Sequence, residues 1–304
     1  MNTKKRMKQS LGEKIFGVAV YAFIIILLIV TLYPLIYVIS ASFSNPDAVA
    51  SGKMLLWPIG FNTDGYKTVF KNSYIWIGYR NTIFYTFVGT LFQLCATLPC
   101  AYALSRRDLK GRGFFLALFM FTMYFGGGLI PGYLNIKSFG MLDTPWVILL
   151  IDLVSVYNLI VARTFFANTI PWELTEASYL DGASNFQLFT KVILPLSAPI
   201  TVVLALYYGV AHWNTYFNAM IYLRDKNLMP LQVFLKQILT QASISADLML
   251  DMTPEERRVL ERQAEVASRM KYCVIVVSTI PMMIIYPFLQ KYFEKGIMIG
   301  SVKG

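Results

Sequence analysis

Residues 176–195 read EASYLDGASNFQLFTKVILP, a polar island between two strongly apolar regions. Just before it, Pro171 can occupy the first position of a helix, where its missing N–H costs nothing. Glu173 and Glu176 then fall in the opening turns, where the helix dipole favours a carboxylate. Asp181-Gly182 is a turn signal that ends this helix. Ser184 and Gln187 have capping-box spacing for a second helix. That helix carries Phe186, Phe189 and Ile193 on one side and stops near Pro195. The reading is a short helix–turn–helix outside the membrane, held between two spans.

Composition places the rest of the chain in a bilayer. The protein has 304 residues, 56% of them hydrophobic and only 14% charged, with a mean hydropathy of +0.54. Soluble domains carry about 25% charged residues. The net charge of +10 is no nucleic-acid signal, because the basic residues lie largely at span ends. Cys95, Cys100 and Cys273 fall in or beside apolar spans and have neither metal nor disulfide spacing; they read as small buried residues. His212 is the only histidine, and a packed or hydrogen-bonded role is expected for it. No metal site and no cofactor is expected.

Taken in order, residues 1–14 hold Lys4, Lys5, Arg6, Lys8 and Lys14 ahead of an uncharged run from 15 to 46. The run lacks an obvious small-residue cleavage site and reads as a retained first span. A mixed loop over 45–79 carries Trp57, Tyr66, Tyr74 and Trp76 as interfacial anchors. A second uncharged run covers 81–105 and is followed by the basic turn 106–112. The third, 113–136, is interrupted by Gly126-Gly127-Gly128 and Pro131, which permit a helix break. A fourth lies between Asp143 and Arg163, a fifth over 192–223 and a sixth over 272–290. The expected fold is all-α: one transmembrane domain over 1–304, with six transmembrane helices and the helix–turn–helix on the cytoplasmic side.

Basic residues in the short segments orient the chain. The N-terminus and the 106–112 turn are strongly basic, whereas 135–144 has only Lys137. The expected arrangement is a cytoplasmic N-terminus (1–14), a cytoplasmic loop (163–196), an extracytoplasmic loop (224–271) and a cytoplasmic tail (291–304). In the long outer loop, Thr253 caps a charged helix that opens with Glu255 and Glu256. Glu265 and Arg269 form a favourable i,i+4 pair there. Most of that loop reads as a solvated surface helix; docking of an extracytoplasmic partner is the functional alternative.

The quoted stretch resembles the signature loop of ABC importer permeases. That pattern is Glu-Ala-Ala, three residues, Gly, nine residues, Ile, one residue, Leu-Pro. Glu176, Ala177, Gly182, Leu194 and Pro195 match it, Ser178 replaces the second Ala, and Val192 stands for Ile. Asp181 precedes the glycine at the turn. The chain end resembles the tail of the maltose-type carbohydrate permeases, Gly-x-x-x-Gly-x-x-Lys-Gly, through Gly296, Gly300, Lys303 and Gly304. Trp213-Asn214 and the segment 81–112 are similar to the same group, so the resemblance covers essentially the whole chain. It is nearest to the second, six-span permease of oligosaccharide importers. It implies a multi-pass protein of the bacterial cell membrane that forms half of a translocation path. The implied partners are a second, related permease in a heterodimer, two ATP-binding subunits, an extracytoplasmic solute-binding protein, a sugar substrate and membrane lipid. The loop would dock into a cleft on the ATPase and transmit its motion, and the tail residues Gly300, Lys303 and Gly304 would touch the same subunit.

Polar groups inside spans are expensive and each calls for a role. Asp152, Asn158, Tyr208, Trp213 and Asn214 are the candidates for the path, with helix–helix hydrogen bonding and packing as the structural alternative. No Gly-x-x-x-x-Gly-Lys-Ser/Thr motif occurs, so ATP hydrolysis belongs to partner subunits and no enzyme activity is expected of this chain. An ion-coupled secondary transporter is the alternative function. It would normally need more intramembrane ion-coupling groups than Asp152 alone, or internal repeats.

Overall fold

The computed structural model describes residues 10–243 and 253–301, with side chains as far as residue 287 except that of Pro254. Lys4, Lys5, Arg6, Lys8, Lys303 and Gly304 lie outside the described residues, and Gly300 is described only as part of a helix backbone. All regular elements among the described residues are helical. The chain divides into two compact units, Met1–Lys71 with Ile238–Val277 and Asn72–Gln237 with Ser278–Gly304.

The first unit begins with α1 (Leu11–Ser42), opened by a capping box in which Ser10 and Glu13 satisfy each other's backbone amides. No residue of α1 before Ser40 is buried. A helix apolar all round needs lipid or another protein on every side. Two short helices follow, α2 (Pro46–Ala50) and α3 (Asp64–Lys71). Tyr66 on α3 shares a 2.8 Å hydrogen bond with Ser42, and the Cys273 thiol donates to the Ser42 carbonyl at 3.3 Å. Ala41, Val49 and Met54 form a small core with Tyr37 and Tyr272.

The second unit is built on α4 (Ser73–Ser105). This helix begins earlier than the uncharged run 81–105 implies. Asn72 caps it by accepting from the Tyr74 amide at 3.0 Å, so Tyr74 and Trp76, two of the four aromatic residues assigned to the loop, lie on its first turn. After it come α5 (Arg112–Tyr124) and α6 (Leu129–Ser138), bent by 115° across the expected glycine break. The fourth apolar run is interrupted: α7 (Pro145–Leu150) and α8 (Val156–Thr169) are separated at 151–155. Then follow α9 (Trp172–Leu180), α10 (Asn185–Leu196), α11 (Ala198–Trp213), α12 (Phe217–Tyr222) and α13 (Leu231–Ala242). Between α10 and α11 the chain bends by 80°. The last helix, α14 (Pro254–Ser301), joins the charged helix and the last apolar run without a break. Glu265 and Arg269 pair on it at 2.7 Å.

Three helices are long and apolar enough to cross a membrane, Leu11–Ser42, Ser73–Ser105 and Glu255–Pro287, and the two bent pairs bring the number to as many as five. The remaining segment, α7 and α8, is too interrupted to qualify by length.

Toward its N-terminal end α4 organises the chain between α12 and α13. Asn81 donates to the Asn227 and Met229 carbonyls at 2.7 and 3.0 Å, Tyr85 donates to that of Leu228 at 2.9 Å, and Thr82 accepts from the Leu231 amide at 2.9 Å. Asp143 closes the same region, accepting from the Asp225 and Arg224 amides at 2.8 Å. Those two N–H groups hold its carboxyl below the usual carboxylate range.

In its middle α4 meets α11 at one glycine. A Cβ on Gly89 would fall on the His212 ring, so only glycine lets these helices close. Gly89→Val is therefore expected to force the pair apart and destabilise the protein by about 1–3 kcal/mol or more. Gly113→Val, at a position with open space around it, is the control. Thermal unfolding of the purified protein followed by tryptophan fluorescence checks this; equal midpoints for the two variants would contradict the packing.

Candidate functional site

The helix–turn–helix forms as its residues demand, one position later than expected: Pro171 is the N-cap of α9 and Trp172 its first residue. Gly182 ends it with φ 74°, its amide donating to the Tyr179 carbonyl at 3.0 Å while the Ala183 amide reaches that of Ser178 at 2.9 Å. This is the Schellman arrangement, which needs a left-handed residue at that position. Ser178 donates its hydroxyl back to the Leu174 carbonyl at 2.7 Å. Ser184 and Gln187 make the capping box that opens α10. Residues Leu188–Ile193 of α10 form a π turn, which the sequence did not announce.

Burial separates the two faces of this motif. Thr175, Leu188 and Ile193 are buried, and Val192 and Leu194 are half-buried against the same core. Glu176, Ala177, Asp181, Gly182 and Pro195 are exposed. So are two large apolar residues beside the turn, Leu180 at 89% and Phe186 at 76%. Exposed apolar side chains grouped with a carboxylate on a short rigid turn make a surface that another protein can cover.

One residue joins this motif to the end of α4. Arg106, its side chain only 14% exposed, donates to the Tyr179 hydroxyl at 2.6 Å and to Asn185 Oδ1 at 2.9 Å. It also binds both carboxylate oxygens of Asp108. Its guanidinium stands 5.8–5.9 Å from the ring centres of Tyr102, Trp172 and Tyr179. The Tyr179 hydroxyl in turn donates to Asn185 at 2.7 Å. Arg106 thus touches both helices of the motif and the last turn of α4. The Asp108 hydrogen bonds raise its pKa still further, and the guanidinium holds the Asp108 carboxyl below the usual range. Sequence reasoning counted Arg106 only as a topological charge.

Within the apolar layer the five candidate path residues have different surroundings. Asp152 sits in the break between α7 and α8 with φ 58°, its carbonyl accepting from Gln93 Nε2 at 3.0 Å. It lines a cavity of about 70 Å³ together with Gln93, His212, Thr215 and Asn218. Asn158 is buried in the first turn of α8, where its backbone N–H donates to the Ser155 hydroxyl at 3.4 Å. Tyr208 is buried and shares a 2.7 Å hydrogen bond with Thr97. Trp213 is buried and donates to the Ser278 carbonyl at 3.2 Å. Asn214 is exposed and donates back to the Val210 carbonyl at 2.9 Å. Of the five, only Asp152 lines the cavity. Gln93, Thr215, His212 and Asn218 join it there, each polar within an apolar stretch. The described residues hold no group of three or more potential metal ligands.

Broken apolar segments around a polar cavity are a feature of membrane transport proteins. Comparison with known proteins defines the chain further. Residues 75–299 match the family described as binding-protein-dependent transport system inner membrane component, and the chain belongs to that family. It is 38% identical over 296 residues, 96% of this chain and 99% of the other, to the polygalacturonan/rhamnogalacturonan transport system permease protein YtcP of Bacillus subtilis. Protein LplC of the same organism is 39% identical over 278 residues, 90% of each chain. The structure superposes with a TM-score of 0.82 and 35% identity, over 95% of this chain and 100% of the other, on a chain from the crystal structure of a bacterial ABC transporter involved in the import of the acidic polysaccharide alginate.

Proposed function

We propose that this protein is the second, six-span type of permease subunit in a binding-protein-dependent ABC importer of carbohydrates or oligosaccharides. It forms half of the translocation path beside a related permease. Two ATP-binding subunits drive it from the cytoplasm, and an extracytoplasmic solute-binding protein delivers the sugar. The hydrolytic chemistry belongs to the ATP-binding subunits. The observation that carries this reading is the α9–α10 pair, whose exposed face presents Glu176, Ala177, Leu180 and Gly182 on a turn pinned to the membrane helices by Arg106. A rigid lever fixed to a span and bare on its far side suits a part that receives force from another subunit. Ser178, Val192 and Leu194 support that lever from behind, and Asp181 and Pro195 share its exposed side.

The termini and the loop 163–196 lie on the cytoplasmic side, and 224–271 faces outward, where its charged helix meets the binding protein. Gly300, Lys303 and Gly304 contact the ATP-binding subunit. Uronate-containing oligosaccharides are the first substrates to test, since relatives are named for polygalacturonan/rhamnogalacturonan and alginate transport. Asp152, Asn158, Tyr208, Trp213 and Asn214 lie along the path.

An ion-coupled carrier is separated from this reading by one experiment. The complete transporter is reconstituted in vesicles and uptake of labelled trigalacturonate and maltotriose is followed. Uptake is expected to require ATP and the loaded binding protein, and to persist when ionophores collapse all ion gradients. Uptake driven by a proton or sodium gradient without ATP would overturn the proposal.

A further inference from the structure

Two interrupted helical segments meet at the polar cavity, and neither interruption contains glycine or proline. One is 151–155, between α7 and α8, where Asp152 takes a left-handed φ of 58°. The other is 214–216, between α11 and α12. A non-glycine residue in that region of backbone space costs about 1–3 kcal/mol and persists where the surroundings hold it. Breaks in membrane helices are tolerated where the freed backbone lines a cavity, and discontinuous helices of that kind form substrate sites in transporters.

Gln93 of α4 lies between the two breaks. It is 5% exposed, donates its amide to the Asp152 carbonyl, and leaves Oε1 without a partner. His212, also 5% exposed, leaves Nε2 without one. An unpaired buried polar atom costs about 1–3 kcal/mol. Gln93 lines the cavity with that oxygen unpaired, and His212 lines it with the Nε2 edge of its ring packed against Gly89 of α4. Thr215 and Asn218 add a hydroxyl and an amide from the second break. No lysine or arginine lines the cavity, and its one acid is Asp152. These groups suit neutral hydroxyls that both donate and accept; nothing there pairs with an anion. About 70 Å³ holds a few water-sized groups, each needing roughly 30 Å³, and no pyranose ring.

We infer that the cavity between the two helix breaks, with Gln93, Asp152, His212, Thr215 and Asn218 as its polar groups, binds hydroxyl groups of the passing saccharide on this subunit. The inference rests on the saccharide-importer reading. Neutral and uronate sugars share the hydroxyl chemistry, so the test includes both.

Cys95, Cys100 and Cys273 are replaced by alanine in the complete reconstituted transporter, and Thr215→Cys, Asn218→Cys or Met220→Cys is added. Met220 is exposed and does not line the cavity. During ATP-driven turnover each cysteine is exposed to a small hydrophilic methanethiosulfonate, with maltotriose, raffinose or trigalacturonate present or absent. Reaction at 215 and 218 is expected to slow at least about threefold with whichever sugar is transported, and reaction at 220 to be unaffected. Gln93→Leu is expected to lower uptake about tenfold and abolish the protection. Cysteines 215 and 218 that never react, or that react equally fast with the transported sugar, overturn the inference while leaving the importer intact. So does a Gln93→Leu transporter with full uptake and protection. Uptake of none of the three sugars by the unmodified transporter removes the saccharide reading and this site with it.

Discussion

Replacing Gly182 by leucine is expected to reduce uptake by the complete importer at least tenfold while the permease remains in the membrane at near-normal level. Gly182 holds φ at 74° in the Schellman turn that closes α9. For a residue with a Cβ that conformation costs roughly 1–2 kcal/mol. A Cβ there would meet no atom of this chain within 4 Å, so internal packing does not resist the change. The effect is confined to the path of the backbone between α9 and α10 and to whatever covers the turn. A leucine must either strain the turn or let it relax, which tilts α10 against α9. Either outcome misplaces Glu176 and Leu180 together. Glu176→Lys tests the same surface by charge: it reverses the charge at the middle of α9 and removes an acceptor from the exposed face. Both substitutions lie outside the apolar helices, so insertion is expected to be normal. Uptake, co-purification of the ATP-binding subunit and its sugar-stimulated ATP hydrolysis are the measurements. Full uptake in both variants would mean that this turn does not couple the subunits.

The parts of this motif that could be read from sequence are those enforced by neighbours in the chain. Ser184 and Gln187 cap their helix over three residues, and Gly182 is the residue a left-handed turn selects, so local chemistry announces both. The π turn at Leu188–Ile193 carries no comparable signature, and its widened backbone became visible only in the fold. Asp152 was legible as an acid in an apolar run. The break around it was not, because Ile151, Leu153 and Val154 read as continuous helix and no glycine or proline marks the stop. Its partners in the cavity were also hidden. Gln93 is 59 residues from Asp152, and His212 approaches α4 only because Gly89 has no side chain. Tyr208 and Trp213 illustrate the converse. Both read as candidates for the path, but the fold buries them and gives the polar end of each a partner in its own unit.

Arg106 is the strongest case of a function that spacing concealed. A cation directly after an apolar run satisfies the orientation rule, and Arg107 beside it satisfies the rule equally well. Only the fold distinguishes them, because Tyr179 and Asn185 come 73 and 79 residues later. Arg107 is exposed, whereas Arg106 is held among three rings and hydrogen-bonds to Asp108, Tyr179 and Asn185. One hydrogen bond to a charged group contributes about 1.5–3 kcal/mol. A lysine retains the charge but not the planar fork, so it cannot serve all three partners at once. Arg106→Lys is therefore expected to keep the orientation of the chain and its level in the membrane. It is expected to loosen α9 and α10 from the end of α4, so that ATP hydrolysis no longer moves the membrane helices in step. Uptake per ATP hydrolysed should fall at least fivefold in Arg106→Lys and further in Arg106→Gln, whereas Arg107→Gln should stay within twofold of the parent. Sugar uptake and ATP hydrolysis measured on the same vesicles give that ratio directly. An unchanged ratio in Arg106→Lys would mean that the clamp carries no force. An equal fall in Arg107→Gln would mean that the turn acts through its charge alone.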